Sequence, residues 1–309
     1  ESSRSTYRGR NGSGRGRWSG TRSVGAGRLG AWLNRTSGRG ILSCCDAASV
    51  ETRTASGRAL PAPPMKLVIS NDDGIGAPGI LALEEALRPL GEVYVVAPAT
   101  EQSAKSHSLT MHRPLRVHGH GPRRYAVTGT PADAVYLALH HLVPGPVDIV
   151  VSGINRGGNL GSDVHYSGTV AAAREACLQG VPSVAVSARK EGGEVRFDTA
   201  AQVAVRVVER LLAEPMPEGV FLNVNVPAVA PEALQGLRPV PLGRRRYANA
   251  VDERVDPRGG TYYWIGGPHL AFEGGIDTDG GAVEAGYASL TPLGADPTHP
   301  DLLEALSGW

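Results

Sequence analysis

The stretch Lys66-Leu67-Val68-Ile69-Ser70-Asn71-Asp72-Asp73-Gly74-Ile75-Gly76-Ala77-Pro78-Gly79 decides the fold. An apolar run this short, closed by a glycine-rich turn and then a helical pattern, reads as a buried parallel strand feeding a helix. In open α/β sheets the ligand crevice lies just beyond the carboxyl ends of such strands, and Asp72 and Asp73 stand at that end. Adjacent carboxylates repel each other there unless a cation holds them. The pair marks a candidate divalent-metal site.

Working outward, Ile80, Leu83, Leu87 and Leu90 recur at helical spacing, with Pro78 suited to a first turn and Gly91 to a stop. Strands are expected at Val93–Ala97, Leu115–Val117, Tyr125–Val127, Val147–Val151 and Ser183–Ser187, with Phe221–Val226 the last of the core. Helices are expected at Pro131–Leu142, Thr169–Gln179 and Thr199–Ala213. Alternating strands and helices imply an α/β fold: three layers, a mostly parallel sheet with helices on both faces. After Pro227 the pattern changes, and Thr261-Tyr262-Tyr263-Trp264-Ile265-Gly266 reads as an aromatic strand in a C-terminal arm or surface hairpin. The expected division is a leader over 1–64, a core over 65–227, and an arm and oligomerisation region over 228–309. No internal repeat of 20–50 residues is present.

Charge is distributed unevenly along the chain. Residues 1–64 hold 11 Arg, no Lys and three acids, a net +8, so the rest carries −7 against an overall +1. The basic pI belongs to the leader and argues for no nucleic-acid partner. This Arg/Gly/Ser-rich segment cannot build a core and reads as a disordered tail, or as an extension upstream of a start at Met65. A transit peptide is the alternative, but Ile41-Leu42-Ser43-Cys44-Cys45 is too short for a signal peptide. Three cysteines, two of them in the leader, make neither a disulfide framework nor a cysteine-based zinc site. No run of 18 apolar residues offers a membrane span. The body reads as soluble and cytoplasmic.

Three loops leave strand ends on one expected edge of the sheet. The first carries Asp72 and Asp73, and the second runs from Pro98 through Ser103 to Ser108. The third runs from Ser152 through Asn155, Asn159 and Asp163 to Ser167-Gly168-Thr169. Carboxylate, hydroxyl and amide oxygens are hard ligands, suited to Mg²⁺ or Mn²⁺. Ser167-Gly168-Thr169 opens a helix, whose free N–H groups and positive dipole end suit a phosphate. Each signal alone has a plainer meaning, a turn or a helix cap. Their occurrence at successive strand ends of one sheet is what points to a site.

Five motifs together resemble the SurE (survival protein E) family of 5′-nucleotidases. They are Ser70-Asn71-Asp72-Asp73-Gly74-Ile75, Val96-Ala97-Pro98 with Gln102-Ser103-Ala104, Gly129-Thr130-Pro131-Ala132-Asp133, Ser152-Gly153-Ile154-Asn155 and Tyr166-Ser167-Gly168-Thr169-Val170. The resemblance covers about residues 65–270. It implies a Rossmann-like fold and a divalent-metal phosphomonoesterase acting on nucleoside 5′-monophosphates, with 3′-nucleotides and polyphosphate also associated with the family. Asp72, Asp73, Ser103 and Asn155 match its metal ligands, for one Mg²⁺ or Mn²⁺ per subunit, and Asn159, Ser167, Gly168 and Thr169 fall in its phosphate-binding region. It further implies a homodimer or homotetramer formed through C-terminal exchange. Asp73 and Asp163 are the candidate proton acceptors, though Asp163 reads equally as a solvated loop acid. His107, His118 and His165 read as surface residues, Asp133 as a helix cap and Cys177 as core.

Phosphate monoesters resist hydrolysis so strongly that enzymes reach enhancements of up to about 10²¹-fold. The expected mechanism therefore combines metal, helix N–H groups and in-line attack by an oriented water. A phosphatase with a covalent aspartyl intermediate is the first rival, but that type spaces its acids Asp-x-Asp and here they adjoin. A non-catalytic nucleotide-binding module of the same fold is the second. A dinucleotide enzyme is disfavoured because Pro78 interrupts the glycine-rich turn Gly74-Ile75-Gly76-Ala77-Pro78-Gly79.

Overall fold

A computed structural model describes residues 64–309 apart from 215, 248–249 and 267–268. The expected leader thus lies, but for Pro64, outside the described residues. The chain begins β1 (Lys66–Ser70), α1 (Pro78–Leu87), β2 (Glu92–Pro98), β3 (Val117–Gly119), β4 (Arg124–Val127) and α2 (Pro131–Leu137). It continues through β5 (Ile149–Arg156), α3 (Gly168–Leu178), β6 (Ser183–Ala188), β7 (Lys190–Glu191), β8 (Glu194–Val195), α4 (Phe197–Ala213) and β9 (Val220–Val226). The last third holds β10 (Leu237–Pro239), β11 (Arg244–Tyr247), β12 (Ala250–Val255), β13 (Thr261–Gly266), β14 (His269–Glu273), α5 (Asp279–Glu284), β15 (Ala288–Gly294) and α6 (Pro300–Leu306).

The central sheet runs β10-β15-β9-β6-β5-β1-β2-β4-β3. From β4 to β9 every neighbouring pair is parallel. The chain steps from β1 outward to β2 and β4, then crosses to β5 on the other side of β1. Strand order therefore reverses between β1 and β5, which is where an open α/β sheet forms its ligand crevice. Side chains alternate across β1: Leu67 and Ile69 pack with Ile80, Leu83 and Val207 of α1 and α4, while Val68 packs with Val135, Ala172 and Ala176 of α2 and α3. Burial on both faces explains why β1 reads as an unbroken apolar run. On α4, Val203, Val207 and Leu211 are buried while Gln202, Arg206 and Glu209 are exposed, a single apolar stripe turned to the sheet.

Some expectations need correction. Val220–Val226 is not the last strand of the core, because β15 pairs antiparallel with β9 and β10 pairs with β15. The segment was hard to see because Ser289 and Thr291, both buried, interrupt its apolar pattern and Pro292 argues against a central strand. Pro292 is tolerated because β10 pairs only with residues 288–290, leaving that edge open beyond them. The helix expected to reach Leu142 is regular only to Leu137 and widens into a π-type turn over Ala138–Leu142. The strand expected at Leu115–Val117 lies at Val117–Gly119. The Thr261–Gly266 strand is present, paired with β12 in a two-stranded ribbon.

Candidate functional site

A cleft of about 520 Å³ opens beyond the carboxyl ends of β1, β2 and β5. Asp72, Asp73, Ser103, Asn155, Asn159, Asp163 and Ser167 all line it. Parallel register explains the convergence. Ser70, the last residue of β1, pairs with Ser152, so Asp72 and Asp73 follow alongside the Gly153–Arg156 end of β5, where the Arg156 N–H donates to Asp73 at 3.1 Å. The second loop is drawn in by the backbone N–H of Gln102, which donates to the Asp72 carbonyl at 2.7 Å. Gly168 and Thr169 are placed behind Asp72 and do not line the cleft. The Thr169 hydroxyl donates to an Asp72 carboxylate oxygen. A Cβ on Gly168 would sit 2.8 Å from that of Asp72, so only glycine lets the α3 N-terminus come so close.

Electrostatics separates the two acids. Asp72 is buried, and burial is the main cause that lifts its pKa to about 6. The Thr169 hydrogen bond opposes the shift and the charge of Asp73 adds to it. Asp73 is half-buried and also raised, again chiefly by burial, with the Arg156 N–H pulling it back and Glu101 pushing it up. Ionising Asp72 here costs about 3 kcal/mol more than in water.

These groups fit a hard divalent cation. Asp72 has a burial cost that a positive charge would offset, and Asp73 adds to the negative field. The Ser103 hydroxyl donates its proton to Glu101 at 2.6 Å, which leaves its lone pairs for another partner. The Asn155 amide nitrogen donates to the Gly157 carbonyl at 2.7 Å, which orients the amide and leaves its oxygen as the end for a ligand. Among the described residues no cluster of three or more His, Cys, Asp or Glu could hold a metal. The donor set is instead two carboxylates, a hydroxyl and an amide, all oxygen, as Mg²⁺ and Mn²⁺ prefer.

The family model for survival protein SurE matches residues 67–249. The chain belongs to the SurE family. It is 47% identical over 245 residues to 5′-nucleotidase SurE of Geotalea uraniireducens, covering 79% of this chain and 99% of that relative. It is 48% identical over 246 residues to 5′-nucleotidase SurE of Alkalilimnicola ehrlichii, covering 79% and 95%. The crystal structure of the SurE protein from Aquifex aeolicus superposes with a TM-score of 0.71 at 40% identity, over 79% of this chain and 98% of that one.

Within this SurE chain the structure adds residues that sequence reasoning did not nominate. Glu101, Arg156, Tyr166 and Phe197 line the cleft. Phe197 was hidden because α4 starts two residues earlier than its apolar pattern, and Glu101 because one acid in a polar loop carries no signal. Asn159 is held firmly in place: its N–H donates to Asn225 at 2.7 Å and its side-chain amide to Ser187 at 2.7 Å. Asn223 and Asn225 in turn donate to its carbonyl. His107 is not a surface residue; it is half-buried and meets Glu175 of α3 at 2.7 Å. Burial alone would raise Glu175, but hydrogen bonds from His107 and Gln179 outweigh it and hold Glu175 low. His118 and His165 are exposed. Asp133 caps α2 in a reciprocal pair with Thr130 and also accepts from Thr110. Cys177 is buried, and burial pushes its thiol up.

Proposed function

We infer that this protein is a divalent-metal-dependent 5′-nucleotidase, hydrolysing nucleoside 5′-monophosphates to nucleoside and phosphate. The observation that carries the reading is the convergence of Asp72, Asp73, Ser103 and Asn155 on one cleft at the point where strand order reverses. The substrate class comes from the names of the relatives. Asp72, Asp73, Ser103 and Asn155 would hold one Mg²⁺ or Mn²⁺ per subunit. Such an ion, when bound, neutralises charge on a phosphoryl oxygen.

The chain's own residues do the rest. Asn159 and Ser167 bind phosphate oxygens from the cleft wall. Gly168 and Thr169, assigned to phosphate by the motif, act one step back by setting the position of Asp72. Asp73 accepts the proton of the attacking water, and Asp163 orients that water. The water oxygen bonds to phosphorus, the P–O5′ bond breaks, O5′ takes a proton from solvent, and Asp73 returns its proton to solvent. Tyr166 and Phe197 offer rings to the nucleoside. The protein works in the cytoplasm with no membrane or nucleic-acid partner. Among the described residues no helix is long and apolar enough to cross a membrane. Residues 228–309 assemble the homodimer or homotetramer, a role that rests on the exposed Val251, Val255, Tyr263, Trp264 and Ile265 of the β12–β13 ribbon.

The test is phosphate release by the full chain from 5′- and 3′-nucleoside monophosphates and polyphosphate, with Mn²⁺, with Mg²⁺ and with EDTA. Metal-requiring release from the 5′-monophosphates is expected, with 3′-monophosphates and polyphosphate slower. Metal-independent release, or a phosphorylated aspartate trapped during turnover, would overturn the mechanism. Binding of nucleotide without release under every condition would leave a binding module.

A further inference from the structure

We propose that Asp279, 116 residues beyond Asp163, is a positioning residue for the cleft: it fixes the loop bearing Asn159, Asp163 and Ser167 by accepting the Gly161 N–H. The proposal rests on the reading of that loop as the phosphate and water wall of a 5′-nucleotidase. Asp279 opens α5 and is wholly buried. Both its oxygens are used. One accepts from Gly161 at 2.7 Å, and the other from Gly243 at 2.7 Å and Gly280 at 2.8 Å. A buried carboxylate is stable when N–H donors replace its water shell. Here those donors come from three separate stretches of backbone.

Pinning Gly161 sets the course of the residues after it. Gly161 has a φ of 56°, in the left-handed region, and starts the turn Gly161–His165. Within that turn the Asp163 N–H donates to the Leu160 carbonyl at 3.2 Å. The Asp163 carbonyl then accepts from Tyr166 at 3.0 Å and Ser167 at 3.1 Å. One backbone hydrogen bond at Gly161 therefore sets Asp163, Tyr166 and Ser167 together. Asn159, just upstream, is held separately by Asn223 and Asn225 of β9. The loop is thus held from the parallel core at Asn159, from the C-terminal third at Gly161, and from the second loop, where Ser106 donates to the His165 and Tyr166 carbonyls.

Two acceptor oxygens are needed for the grip on Gly161 and Gly243, and shape alone does not suffice. An asparagine at 279 has one acceptor oxygen for donors on two sides. Whichever way its amide turns, Gly161 or the Gly243–Gly280 pair loses its acceptor and faces an N–H₂ group instead.

The experiment compares the full-length wild type, D279N, and D279N combined with D163N or S103A, in Mn²⁺-supported hydrolysis of a nucleoside 5′-monophosphate. D279N is expected to lose about 10–100-fold in kcat, the scale of a small misplacement of catalytic groups. That loss should shrink in the D163N background, which already lacks one of the groups the loop delivers, and persist in full in S103A, which alters another loop. Full kcat in folded D279N, or equal losses in both backgrounds, would overturn the proposal. Amide hydrogen exchange of the wild type gives a second reading that needs no variant. Protection at Gly161 matching that of β9 supports the pin, and rapid exchange there overturns it. A wild type that releases no phosphate would sink the 5′-nucleotidase reading and leave the exchange result to judge the pin.

Discussion

The β1–β5 edge and the C-terminal third each bury an aspartate, and they treat it in opposite ways. Asp72 sits under the α3 N-terminus with the Thr169 hydroxyl for a side-chain donor and a second acid next to it, and burial lifts its pKa to about 6. Asp279, equally hidden, accepts three backbone N–H groups and joins three segments. For the first, burial outweighs the hydrogen bonds it receives, and a ligand can reach it; the second is held by N–H groups from three segments where none can. Burial of an acid is therefore not by itself a sign of chemistry. The sign is a burial cost left unmet beside an open cleft.

That contrast can be broken first at the edge. Asp73→Asn should lower turnover by at least about 10³-fold, the scale of losing a group that acts in the transition state, with the melting temperature little changed. Turnover close to wild type would remove Asp73 from the mechanism. A second measurement concerns stability in EDTA. Because the folded pKa of Asp72 is raised, its neutral form stabilises the metal-free protein below about pH 4, and that contribution is lost as pH rises through about 6. Asp72→Asn should therefore raise the melting temperature of metal-free protein at pH 7 by roughly 5–10 °C and do nothing near pH 4. A gain of the same size at both pH values would show that ionisation of Asp72 is not the cause.

Smaller effects test the packing behind the edge. Gly168→Ala places a methyl 2.8 Å from the Asp72 Cβ, so Asp72 must shift. We expect turnover about tenfold lower and a raised metal requirement, followed by titrating Mn²⁺ against rate. An unchanged titration would mean the helix yields instead. The least effect on chemistry is expected far from the cleft. Ile265, 93% exposed on the β12–β13 ribbon, should tolerate Ser with turnover per subunit within about twofold. Sedimentation should then show a smaller assembly, and an unchanged one would take the ribbon out of the subunit contact.

Legibility tracked the range of the interactions. The β1 strand, the Asp72–Asp73 pair and the Ser167 cap are local patterns, in which spacing and residue type carry their own physical meaning. Ser103 and Asn155 are legible through motif resemblance, since one serine in a loop or one asparagine near a strand end has no periodicity to mark it. Glu101, Phe197 and the Asn159–Asn223–Asn225 knot were not legible. Each depends on which distant strand end lies alongside, and no short window contains that. The β15 strand was missed for a related reason: Ser289 and Thr291 are buried in a polar layer with Asn225 and Asn223, so its core face does not look like core.

The sequence by itself determined that strands and helices alternate, that carboxylates end the first strand, and that a helix cap with glycine closes the third loop. These are consequences of side-chain period, turn chemistry and capping, all settled within a few residues. Only the tertiary structure decided that strand order reverses between β1 and β5, that Thr169 serves Asp72 and does not face the cleft, and that Asp279 reaches back 118 residues to Gly161. Those outcomes turn on desolvation and on hydrogen-bond partners from remote segments. Such energies exist only once the chain has closed around them.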